Sequence, residues 1–190
     1  MYESSAAPIV ALYERLLTLK LLPRTGWLQR GQASPESVAE HTFGVASLAL
    51  LVSEQIPDLD RGKLLALALV HDMAEALFGD LPIGARRYFG AEAKHEAERR
   101  AMQELLGGLP DPDCATYLAL WDEYASRSSR EARLIKQLDR LEMLVQALAY
   151  KRAGNQAMVE FWEDIDDGWS AEFPLVAAMA AELRAQIMAT

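Results

Sequence analysis

The sequence predicts an all-α, single-domain helical bundle of the kind that buries one core. Three observations carry that expectation. Apolar residues recur with a helical period almost throughout, and few segments alternate in the period-two manner of a half-buried strand. Stop signals at Pro23, Pro57, Pro82, Gly107-Gly108-Leu109-Pro110 and Gly168 divide the chain into seven or eight helical pieces. With 190 residues, 51% hydrophobic and 25% charged, the chain can bury a substantial core without disulfide or metal staples. Residues 1–190 are therefore expected to form one domain, with C-terminal helices over 155–190 packed on the rest.

The opening stretch, MYESSAAPIVALYERLLTLK, has no basic leader or cleavage pattern, and Glu14, Arg15 and Lys20 interrupt its apolar residues, so no signal peptide is expected. Uncharged apolar runs such as Thr42 to Val52 fall well short of the roughly 20 residues that a membrane span needs. Cys114 is the sole cysteine, which excludes an intrachain disulfide and suits a reducing compartment. A soluble cytoplasmic protein, with no membrane partner, is the expectation.

The segment SPESVAEHTFGVASLALLV follows. Ser37 and Glu40 form an S-x-x-E capping box, and Val38, His41, Val45, Leu48 and Val52 line one face, which turns His41 inward. In the next helix Asp58 or Asp60 can cap the start, while Leu64, Ala68, His71 and Glu75 share a stripe at i, i+4, i+7 and i+11 with Asp72 beside it. The run Leu64 to Val70 alone also fits a buried strand, but its alanines and the length of the segment favour a helix.

AKHEAERRAMQEL alternates in charge like a solvated helix face and carries His95, expected to be exposed. SSREARLIKQLDRLEMLVQALAY opens on a second capping box, Ser128 with Glu131. Ile135, Asp139, Glu142 and Gln146 then lie on one stripe beside Leu134, Leu138, Leu141 and Leu148. Glu142 either extends an acidic cluster or pairs with Arg140 or Arg152. Trp121, Trp162 and Trp169 read as packing residues, and EDIDDGW as a solvated turn.

The chemistry concentrates in LALALVHDMAEALFGDLP, Leu65 to Pro82, where an apolar run leads into His71, Asp72, Glu75 and Asp80. Burying such groups unpaired costs roughly 1–3 kcal/mol each, so something must compensate them. A metal ion would. His41, His71, Asp72 and Asp139 make a mixed nitrogen and oxygen set suited to a borderline or hard divalent ion, with coordination positions left open. Such an ion acidifies water and polarises a phosphoryl oxygen, the two needs of phosphate-ester hydrolysis. The net charge of -9 weighs against a nucleic-acid-binding surface; a small anion could still bind, provided that a local cation overrides the field of the whole chain.

A histidine, then a His-Asp pair, then a distant aspartate is also the pattern of a known family. Here these residues are His41, His71-Asp72 and Asp139, and the chain resembles the HD-domain metal-dependent phosphohydrolases. Three blocks, PRTGWLQRGQASPESVAEH, ALVHDMAEALFGDLP and KQLDRLEMLVQALAY, are similar to the branch that contains the 5′-deoxynucleotidases, over about Leu17 to Tyr150. The resemblance implies that His41, His71, Asp72 and Asp139 hold a divalent cation, Co2+, Mn2+ or Mg2+. It implies catalytic roles for Glu75 and Asp80, as general acid/base and water-orienting groups. Arg24 and Trp27 would contact phosphate and shape the nucleotide pocket, and Asp80, Leu81, Pro82 and Ile83 would form a substrate-binding turn.

One departure is visible: Thr25 and Gly26 separate Arg24 from Trp27, which are adjacent in the bacterial 5′-deoxynucleotidase, and this bears on sugar preference. Family members with more histidine-bound metals carry extra histidines before the last aspartate; only His95 stands there, so one principal metal site is expected. The implied activity is hydrolysis of nucleoside 5′-monophosphates by a homodimer. Nucleoside triphosphates, cyclic nucleotides, other phosphate esters, or nucleotide or protein binding without turnover are the alternatives.

Overall fold

The computed structural model describes residues 2–82, 84–85, 88 and 90–189, and side chains from residue 6 onward. Its helices are α1 (Tyr2–Leu16), α2 (Thr25–Leu28), α3 (Val38–Ser53), α4 (Arg61–Val70), α5 (Glu75–Phe78), α6 (Ala91–Leu106), α7 (Asp111–Ser126), α8 (Arg130–Arg152) and α9 (Pro174–Met188). Short 3-10 segments cover Leu17–Lys20 and Gln156–Trp162. Among the described residues there is no strand, only an isolated antiparallel bridge between Pro23 and Ser37. The fold is all-α, as the helical periodicity predicts, and no described helix is long and apolar enough to cross a membrane.

Helix α8 is the axis of the bundle, packed against α3, α4, α7 and α9. Leu134, Ile135, Leu138, Leu141 and Leu144 are fully buried along it and meet Val45 and Ala49 of α3 and Leu64 and Leu67 of α4. Met158, Trp162, Phe173, Val176 and Leu183 belong to the same core, so the C-terminal segments pack onto the motif-bearing helices. A second, smaller core gathers Met102, Leu105 and Leu106 of α6 around Trp121 of α7. Ala68 lies in the first core and Ala74 in the second, which leaves His71 and Asp72 on the chain between the two.

Local signals set the helix starts. Ser37 Oγ accepts from the Glu40 amide while Glu40 Oε2 accepts from the Ser37 amide at 2.6 Å, the expected capping box. Asp60 caps α4 by accepting from the Lys63 amide; the other candidate, Asp58, adopts a left-handed turn at φ 61°. Two expectations are corrected. The cap of α8 is Ser129, accepting from the Ala132 amide, rather than Ser128 with Glu131. Glu131 turns away because its carboxylate accepts from the Asp60 amide and pairs with Lys63, tying the starts of α4 and α8 together.

The second correction concerns the stripe Leu64, Ala68, His71, Glu75. All four side chains are buried, but the helix that carries them stops at Val70. Beyond it the backbone tightens: the amides of Met73, Glu75, Ala76 and Leu77 each bond to the carbonyl three residues back. In such a 3-10 turn residues i and i+3 eclipse, so Asp72 and Glu75 come to one side instead of fanning around an α-helix.

Candidate metal centre

Three helices and the turn after one of them deliver the four expected ligands to one place. His41 comes from the buried face of α3, His71 from the C-terminal end of α4, Asp72 from the tight turn that follows and Asp139 from α8. Each imidazole is fixed through Nδ1. His41 Nδ1 donates to Glu142 Oε2 at 2.5 Å and His71 Nδ1 to the Ala68 carbonyl at 2.7 Å, which leaves both Nε2 atoms aimed at the same space. Both Nε2 atoms are buried and have no hydrogen-bond partner.

The carboxylates close around those nitrogens. Asp72 Oδ2 lies 3.2 Å from His71 Nε2 and 3.8 Å from His41 Nε2, and Asp139 Oδ1 lies 3.3 Å from His41 Nε2 without the alignment of a hydrogen bond. One ligand atom each from His41, His71 and Asp139 falls within 4.8 Å of the others. Two orphaned imidazole nitrogens facing two acid oxygens are costly as a dry core and fit a divalent cation of the borderline or hard type. Burial and the Arg24 charge oppose protonation of His41, yet Asp139 and Glu142 outweigh them and push its pKa up to about 10. Burial would raise Asp139, but Lys136 and His41 hold it well below the usual carboxylate range.

His71, Asp72 and Asp139 line a cavity of about 880 Å³, with His41 buried behind them. Arg24 lines it, with Nη1 at 3.3 Å from Asp72 Oδ2 and 3.8 Å from Asp80 Oδ1. Asp80 is itself anchored: Oδ2 accepts from the Thr25 amide at 2.5 Å, and its carbonyl accepts from Thr25 Oγ1 at 2.6 Å. The Thr25-Gly26 pair that separates Arg24 from Trp27 thus forms the start of α2, and Thr25 clamps the turn bearing Asp80. Leu81 and Pro82 continue along the cavity wall; Ile83 lies outside the described residues. Glu75 Oε2 is buried and unpartnered, and burial, with Asp72 and Asp80 nearby, drives its pKa to about 9 against the pull of Arg24 and Lys94.

Residues 16–174 match the family model described as HD domain. The chain belongs to the HD-domain family. Among its HD-domain relatives, 5′-deoxynucleotidase HDDC2 from Bos taurus is 37% identical over 170 residues, which cover 88% of this chain and 80% of that protein. A conserved hypothetical protein from Pyrococcus furiosus superposes with a TM-score of 0.80 at 33% identity, over 93% of this chain and 99% of that one. A protein from Magnetospirillum magnetotacticum described as a predicted metal-dependent phosphohydrolase gives a TM-score of 0.74 at 27% identity, over 99% and 95%.

Around the HD-domain ligands the structure adds residues that sequence reasoning left open or passed over. Glu142 does not pair with Arg140 or Arg152; it is buried against His41, while Arg140 reaches the carbonyls of Asp164 and Asp167 and Arg152 reaches Gln186. Gly44 makes room for it, since a Cβ there would stand 2.6 Å from Glu142 Oε1. Glu36, pushed up to about pH 7 by burial and by Glu142, accepts from Trp27 Nε1 at 2.9 Å.

Trp27 therefore lines the cavity with its ring while its indole N–H is taken by Glu36, and Phe161 and Tyr150 pack against it. His95 is exposed, as expected, but stacks on Trp121 at 5.3 Å and lines the same cavity, as do Lys94 and Lys136. A signal for Lys136 existed in its place three residues before Asp139 on one helix face.

Proposed function

We propose that this HD-domain protein is a metal-dependent phosphomonoesterase that hydrolyses nucleoside 5′-monophosphates, 2′-deoxyribonucleotides in particular, to nucleoside and inorganic phosphate. The observation that carries this reading is the meeting of two unpartnered imidazole nitrogens with Asp72 and Asp139 beside a cavity that Arg24 and Glu75 also line. The name of the bovine relative supports the substrate class, and that of the Magnetospirillum protein the reaction class. The cavity volume falls in the range of small-molecule sites, roughly 300–1,000 Å³.

His41, His71, Asp72 and Asp139 would hold the ion, with Co2+, Mn2+ and Mg2+ as candidates. Once bound, a divalent cation acidifies water and polarises a phosphoryl oxygen. The remaining work belongs to the chain's own groups. Arg24 meets the phosphate, a local positive charge in a protein of net charge -9. Trp27, Leu81 and Pro82 shape the wall beside the sugar and base. Glu75, with a raised proton affinity and a free Oε2, gives its proton to the departing 5′ oxygen as the old P–O bond breaks and recovers one from the attacking water as the new P–O bond forms. Asp80 orients that water through Oδ1, because Oδ2 is held by Thr25.

The test is phosphate release from a panel of deoxyribo- and ribonucleoside 5′-monophosphates, triphosphates and cyclic nucleotides with each of the three metals. The expected result is turnover of the 5′-monophosphates, with kcat lowered on the order of 10²–10⁴-fold by Glu75→Gln and also lowered by Asp80→Ala. Turnover of triphosphates or cyclic nucleotides alone would replace the substrate, and no turnover of any would favour a binding module. We also propose a cytoplasmic homodimer. The exposed Phe43, Leu50 and Leu51 on α3 support self-association, and a monomer mass by light scattering would end that part of the reading.

A further inference from the structure

Asp139 has two carboxylate oxygens, and the chain treats them differently. Oδ1 faces His41 Nε2 at 3.3 Å. Oδ2 receives two hydrogen bonds, from Lys136 Nζ at 2.7 Å and from the Tyr124 hydroxyl at 3.1 Å. Lys136 Nζ also lies 3.0 Å from the Tyr124 oxygen. The proton positions in this triangle are forced: an ammonium can only donate and a carboxylate can only accept, so the Tyr124 oxygen accepts from Lys136 and its O–H points at Asp139. Tyr124 comes from α7 and Lys136 from α8, one turn before Asp139, so the grip spans two helices. The Tyr124 ring also meets the His71 ring edge-on at 5.4 Å, so one buried side chain touches two of the ligands.

We propose that Tyr124 and Lys136 are positioning residues that hold Asp139 as a single-oxygen ligand, Oδ2 engaged by them and Oδ1 alone turned to the ion. This rests on the proposed metal site and names the device that sets its coordination. Plain Coulomb reasoning gives Lys136 the opposite sign, since an ammonium beside a ligand repels a cation and its removal should tighten binding. A pair that merely braces α7 against α8 would leave metal affinity alone. Tyr124 carries no charge, so a variant there tests positioning apart from the Coulomb effect of Lys136.

The deciding variant is Tyr124→Phe, which changes no charge. Metal-stripped protein is titrated with Mn2+ and free Mn2+ is followed by electron paramagnetic resonance. Loss of the hydroxyl should raise the Mn2+ dissociation constant roughly 10-fold, the lower end for partners that orient metal ligands. A value within twofold of the parent overturns the proposal.

If Tyr124→Phe does not fold, Lys136→Met decides through the visible d–d bands of bound Co2+. The bands should shift in Lys136→Met and return in Lys136→Arg, whereas bands unchanged in Lys136→Met overturn the proposal. Failure of the parent protein to bind Mn2+ at all would instead remove the metal site itself, together with the mechanism above.

Discussion

At the scale of single residues, Glu75 and Gly44 give the sharpest consequences. Glu75 holds its proton to about pH 9 in the folded, metal-free chain, whereas in the unfolded chain it ionises near the ordinary value of 4.5. Between those values the folded state binds more protons than the unfolded one, so Glu75 lowers stability as pH rises through that window. Glu75→Gln cannot titrate. Metal-stripped Glu75→Gln should gain stability over the parent as pH rises from about 5 to 9, read by denaturant melts at each pH; a constant difference would refute the raised pKa.

Gly44 lies inside α3, where glycine costs about 1 kcal/mol against alanine, so Gly44→Ala would ordinarily stabilise. Here the added Cβ collides with Glu142 and loosens the grip on His41. We expect no gain in Tm and Mn2+ affinity reduced roughly 10-fold or more; a stabilised protein of unchanged affinity would contradict this. His41, His71 and Asp139 were legible in the sequence because ionisable groups are rare on apolar helical faces. Glu142 was half legible: its face could be read, but its partner depends on where α3 crosses α8. Gly44 was silent, since a missing side chain shows its purpose only beside the group that fills its space.

Among elements, two turns matter more than the helices they join. The clamp of Thr25 on Asp80 connects the start of α2 to the loop after α5 and thereby sets Arg24 against Asp72 and Asp80. Thr25→Ala removes the hydroxyl bond to the Asp80 carbonyl and keeps the amide bond to its carboxylate. The expected loss is about 1 kcal/mol of stability, with KM raised several-fold and kcat less affected, in steady-state kinetics on a nucleoside 5′-monophosphate. A kcat loss with unchanged KM would argue against a role in placing Arg24.

The helices themselves followed from periodicity and caps, and Ser37 and Asp60 stand where capping chemistry demands. The tightened turn after Val70 did not follow. Its residues are ordinary helix formers, and no local signal marks the change to bonds three residues back, although it brings Asp72 and Glu75 to one side. The start of α8 moved by one residue because Glu131 has a cross-helix partner that its own segment cannot reveal.

For the whole molecule, the arrangement reduces to α3, the end of α4 and α8 packing so that four side chains from three distant parts of the sequence meet between two apolar cores. The burial that makes those groups expensive also makes an ion there effective, because a dry, shaped floor strengthens every charge on it. The most direct test is anomalous diffraction from crystals grown with Mn2+. One strong peak within bonding distance of His41 Nε2, His71 Nε2, Asp72 and Asp139 Oδ1 is the expected result. A peak bound elsewhere, or no peak with both imidazole nitrogens hydrogen-bonded to the protein, would contradict the account.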